Sequence, residues 1–122
     1  MLPKPGEDPI YDFQYVMKVF KDWRQPVENF QEAISRLEAT IGWVYEEAKK
    51  INLDPSTLEI EAKKLKEEYR GDILPALNYL SQFTPVHSDT KPDYLKGVLW
   101  WALTAKEYCE RNMKVSAELR KR

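Results

Sequence analysis

Few residues of this chain have the chemistry for catalysis, and their spacing opposes most catalytic designs. There is one histidine, His87, and one cysteine, Cys109. A zinc site draws several ligands from Cys and His, and a helical di-iron site needs Glu-x-x-His pairs on facing helices. Neither can be assembled here, so no metal and no cofactor is expected. A Cys–His dyad exists by inventory alone, but Cys109 falls among apolar residues at helical spacing, where cysteine acts as a small hydrophobe. Gly6, Gly42, Gly71 and Gly97 make no phosphate-cradling loop. The paired acids Glu46-Glu47 and Glu67-Glu68 are not followed by a further acid one turn later within the same helix. They read as solvated surface. The chain is expected not to be an enzyme.

The informative residues are tryptophans. On a helix that advances about 100° per residue, Trp43 lies off the main apolar stripe of its segment. Beside it runs a row of small residues, Ser35, Ala39 and Gly42, which would let another backbone approach closely. A glycine inside a helix costs about 1 kcal/mol relative to alanine, so close packing at Gly42 would compensate. Another helix of the chain, or a partner, is expected to fill that side. Trp100 shows the same oddity. It points away from the arc formed by Val98, Trp101, Ala102, Ala105, Tyr108, Cys109 and Leu119, toward Lys96, Glu107, Arg111, Lys114 and Lys121. It is a candidate interface anchor or a base-stacking platform beside phosphate-binding cations, unless the N-terminal arm or the 84–92 loop folds over it.

The elements that must position these residues are helices. From Pro26 to Ile51 the apolar residues Val27, Phe30, Ile34, Leu37, Ile41, Val44, Ala48 and Ile51 recur in steps alternating three and four, the heptad pattern. At about 1.5 Å per residue such a helix is about 39 Å long, and it is expected to be the spine. Asp8-Pro9 is a helix start, with Asp8 as N-cap and proline in the first turn. Asp54-Pro55 repeats the signal, and Gly71-Asp72 ends one helix and caps the next. No segment alternates with period two over a useful length. The expected fold is all-α, a compact bundle of about five helices at 9–24, 26–51, 55–70, 73–83 and 93–121, packed antiparallel around the long 26–51 helix. Residues 1–8, rich in proline, are expected to form an extended arm, and 9–122 a single domain.

Composition sets further bounds. The 122 residues are 43% hydrophobic and 32% charged, an ordinary soluble balance. The longest apolar run, Val98–Leu103, is far short of the roughly 20 residues of a membrane span. The start of the chain lacks the apolar core of a signal peptide, and a single cysteine permits no internal disulfide, so the cytoplasm is the expected location. Residues 1–62 carry 12 acids and 7 bases, and residues 63–122 carry 8 acids and 12 bases. That asymmetry falls short of the basic excess of a dedicated nucleic-acid binder.

In length and helical layout the chain resembles the small all-helical subunits of CRISPR effector complexes, a likeness of size and class that transfers no residues. The expected function is a non-catalytic interaction or assembly subunit working through aromatic-bearing helix faces, with Ser35, Ala39, Gly42, Trp43 and Trp100 as interface candidates. A protein partner or a homo-oligomer is expected, and no membrane. The alternative is a small helical subunit of a ribonucleoprotein that grips nucleic-acid backbone through Lys96, Arg111, Lys114 and Lys121. An enzyme with an unrecognised site is the second alternative.

Overall fold

A computed structural model describes residues 4–22, 24–83 and 91–120. Five helices follow one another, α1 (Pro9–Phe20), α2 (Val27–Lys50), α3 (Pro55–Glu68), α4 (Ile73–Leu80) and α5 (Lys91–Arg120), with no strand among the described residues.

The start signals work as their chemistry predicts. Asp8 accepts hydrogen bonds from the Ile10 and Tyr11 amides, Asp54 from Ser56, and Asp72 from Leu74, each satisfying an amide that the first helical turn leaves unpaired. Pro26 takes the N-cap of α2 with extended backbone (ψ 146°) rather than the first helical position. α1 stops at Phe20, four residues before the expected end. The chain then turns, with Asp22 accepting from the Arg24 amide, because the residue before Pro26 disfavours helical geometry. Trp23 lies outside the described residues.

Two helices end in a Schellman motif. After α2, the Leu53 amide donates to Ala48 and the Asn52 amide to Lys49, with Asn52 left-handed at φ 60°. After α3, the Gly71 amide donates to Lys66 and the Arg70 amide to Glu67. Here Arg70 itself is left-handed at φ 56°, ahead of Gly71 at φ 72°.

The organising element is α5, not α2. α5 packs against all four other helices, whereas α2 meets α1, α3 and α5. The reason lies in its middle. Gly97, Val98, Leu99, Trp100, Trp101 and Ala102 are buried in succession, and a helix that is apolar all round must be enclosed on every side. α2 and α5 run antiparallel, with Glu47 facing Lys91 (3.2 Å), Glu38 facing Lys106 (3.7 Å), and the Gln25 carbonyl accepting from Ser116 Oγ (3.2 Å). α1 lies on the same pair. Phe13 packs on Trp101 (centroids 4.7 Å) and Phe20 stacks on Tyr108 (3.7 Å). α4 crosses at Gly97, where a Cβ would come within 2.8 Å of the Leu80 side chain.

Two adjoining strips of α2 are buried, and neither is the row of Ser35, Ala39 and Gly42. Phe30, Leu37, Val44 and Ala48 form the aliphatic seam, and Ala33, Arg36 and Thr40 are buried beside it. The described part of the arm is a turn instead of an extended strand. The Glu7 amide donates to the Lys4 carbonyl (2.9 Å), and Gly6, at φ 84°, sits so close to α2 that a Cβ would lie 2.8 Å from the Ala39 carbonyl oxygen.

Candidate functional site

The second buried strip of α2 holds an ionic cluster. Asp12 of α1 is fully buried, and Arg36 and Thr40 of α2 are nearly or fully so. Arg36 donates to Asp12 Oδ1 at 2.7 Å, and the Gly6 amide donates to Asp12 Oδ2 at 2.8 Å. The Thr40 hydroxyl lies 3.2 Å from that oxygen and 2.9 Å from the Arg36 carbonyl. Glu32 pairs with Arg36 at 3.2 Å, and the Tyr11 and Tyr15 rings each lie 5.1 Å from the guanidinium carbon. Burial works against the charge on Arg36, but Asp12 outweighs it and raises the guanidinium above its ordinary value. The cluster locks α1 and the arm to α2. It adjoins the row of Ser35, Ala39 and Gly42 without filling it.

Of that row, Ala39 receives the arm. Ser35 is exposed, and nothing lies within 4 Å of the place a Gly42 Cβ would occupy. No close approach inside the chain compensates for the glycine. Trp43 is half-buried against the core. Trp100 corrects the sequence reading: it is 3% exposed. Most of the 84–92 loop, named as one possible cover, lies outside the described residues. Tyr69, at the end of α3, and Tyr79, in α4, lie over it with centroids at 5.3 and 5.9 Å. Projecting one helix placed Trp100 opposite the core arc, but that arc belongs to α1 and α2, while α3 and α4 need a seam of their own on α5.

The described candidate cations differ in their surroundings. Lys96 is half-buried against the Tyr79 ring, at 5.7 Å, and Arg111 lies over Tyr108 at 5.8 Å. Lys114 is exposed; Lys121 and His87 lie outside the described residues. Arg111 shares a surface notch of about 320 Å³ with Lys66, Glu67, Arg70, Gly71 and Glu107. Lys66 is already paired with Glu107 at 2.8 Å, and its hydrogen bond holds that carboxyl below the usual carboxylate range.

Cys109 is completely buried, and burial pushes its thiol up to about 12, so it carries no thiolate at neutral pH. No three His, Cys, Asp or Glu side chains come together as a metal-holding group among the described residues, and no helix there is long and apolar enough to cross a membrane.

Two surface features remain. One is the corner between α3 and α4, where Tyr69 is 43% and Leu74 is 61% exposed on either side of left-handed Arg70. The other is an apolar cavity of about 300 Å³ between α1, α4 and α5, with Ile10, Leu80, Phe83 and Trp101 in its wall. No family, characterised protein or solved structure matches the chain. Its reading therefore rests on these sites alone. The sequence does not mark the corner, because Tyr69 continues the helical spacing of Leu58, Ala62 and Leu65 and so reads as part of a thin apolar seam, and Arg70 gives no sign of its conformation. The available signal was Asp72, whose capping role fixes Leu74 in the first turn of α4.

Proposed function

We propose that the protein is a non-catalytic interaction or assembly subunit, and that the α3–α4 corner is its contact surface. The observation that carries this reading is the left-handed backbone of Arg70. A non-glycine residue in that region costs about 1–2 kcal/mol, and strain of this kind is retained where the surrounding structure enforces it, often at binding sites. The strain sits between exposed Tyr69 and Leu74. Tyrosine and arginine are the residues most enriched in interface hot spots. The corner is also stiff, being tied by the Schellman bonds behind it and the Asp72 cap ahead, so little ordering entropy is lost on binding.

The test separates binding from folding. Arg70→Gly relieves the strain and stabilises the monomer by about 1 kcal/mol, yet is expected to weaken the complex. Tyr69→Ser and Leu74→Ser are expected to weaken it with the helical circular dichroism intact. Complexes are read by quantitative crosslinking in the native cells and by concentration-dependent mass of the pure protein. A partner, or a self-associated form, that persists through all three substitutions refutes the corner as the contact.

The second reading, a grip on nucleic-acid backbone, is supported by Lys66, Arg70 and Arg111 meeting in one notch beside Tyr69. Glu67 and Glu107 line the same notch, and Lys66 is paired, which favours a protein partner. Binding to RNA or DNA that falls steeply with salt and is lost in Arg70→Gly and Arg111→Ala would reverse that order.

A further inference from the structure

We propose that the cavity between α1, α4 and α5 is a binding site for one small, uncharged, largely hydrocarbon or aromatic molecule. The site is separate from the α3–α4 corner and does not depend on it. Its walls come from three helices: Phe13 of α1, Leu77 and Leu80 of α4, and Tyr94, Val98 and Trp101 of α5. Its volume of about 300 Å³ stands at the small end of the range of about 300–1,000 Å³ typical of ligand pockets.

The lining decides the chemistry. Among the described residues no Lys, Arg, Asp or Glu contributes to it, so an anion entering it would lose its hydration and find no counter-charge. The polar groups of the wall are those of Ser81 and Tyr94. The Ser81 hydroxyl already donates to the Asn78 carbonyl at 2.7 Å, which leaves its lone pairs. Tyr94 offers a phenol kept protonated, its ionisation pushed upward by burial and by nearby Asp8. Trp101 is 1% exposed and its indole Nε1 is itself sealed off, so the wall it adds is ring carbon. The Phe13 ring against Trp101 makes an aromatic floor already in place in the unliganded protein, so binding orders few side chains.

The experiment uses the whole chain and two dyes that share an aromatic frame, neutral phenylnaphthylamine and its anionic relative anilinonaphthalene sulfonate. Phenylnaphthylamine is expected to bind saturably at one site with quenching of tryptophan fluorescence, and the sulfonate to bind much more weakly. Leu77→Trp, which fills the space from a half-buried position, is expected to weaken phenylnaphthylamine by about tenfold or more, with unchanged circular dichroism. Asn78→Ala, an exposed position on the same helix but not in the wall, is the control and is expected to bind as the parent does. If Leu77→Trp fails to fold, Ser81→Leu is the second filling variant. The proposal is overturned if neither dye saturates, if a folded filling variant binds like the parent, if the sulfonate binds as well as the neutral dye, or if Asn78→Ala removes the signal.

Discussion

Asp12 is the residue on which the α1–α2 contact depends. Its two oxygens receive the Arg36 guanidinium, the Gly6 amide and the Thr40 hydroxyl in a fully buried setting. Removing one member of a buried ion pair costs about 3–5 kcal/mol, whereas replacing both by apolar groups is often neutral. Asp12→Ala is therefore expected to lower stability by that amount in chemical denaturation, and the Asp12→Leu/Arg36→Met double variant to recover most of it. Gly42 gives the opposite case. With open space around its missing Cβ, Gly42→Ala is expected to raise stability by about 1 kcal/mol through helix propensity alone. A loss of stability would mean that the glycine is packed after all.

At the scale of elements, α5 explains why Trp100 belongs to the core. The helix is enclosed by α1 and α2 on one side and by α3 and α4 on the other. Trp100→Ala removes the ring on which Tyr69 and Tyr79 rest, and is expected to cost about 3–5 kcal/mol. Trp43→Ala, from a half-buried position, is expected to cost clearly less. Urea denaturation of the two variants side by side checks the ranking, and equal losses would contradict it. The signal for a central α5 was present in the sequence. The run Val98–Leu103 puts an apolar residue on every face of a helix, which a one-sided element does not need. The heptad of α2 was more regular, but regular phase marks a single seam, and a single seam does not make a hub.

At the scale of the whole molecule, stability should fall in alkali. The Cys109 thiol has an ordinary value of 9.0 and is pushed up to about 12 by burial. Folding thus favours the protonated thiol. That contribution is complete below about pH 9 and is lost progressively as the pH rises toward 12. Burial also raises Tyr15, Tyr45, Tyr79 and Tyr94, which acts in the same direction at higher pH. Melting temperature is expected to decline above pH 9, and Cys109→Ala to flatten the first part of the decline. At neutral pH the thiol should react with an alkylating reagent only as fast as the protein opens.

The all-α class, the number of helices and the starts of α1, α3 and α4 followed from local rules: periodicity, Asp-Pro starts and aspartate caps act within one or two turns of backbone, whereas α5 begins at Lys91, two residues before its expected start. Which helix is central, what covers Trp100 and what lies beside the aliphatic seam of α2 depend on contacts between residues far apart in the chain. Asp12 and Arg36 are 24 positions apart and Lys66 and Glu107 are 41, so no local pattern encodes either pair. The left-handed Arg70 belongs to the same group. Its conformation is imposed by where α3 must stop and α4 must cross α5, and only the packed bundle decides that.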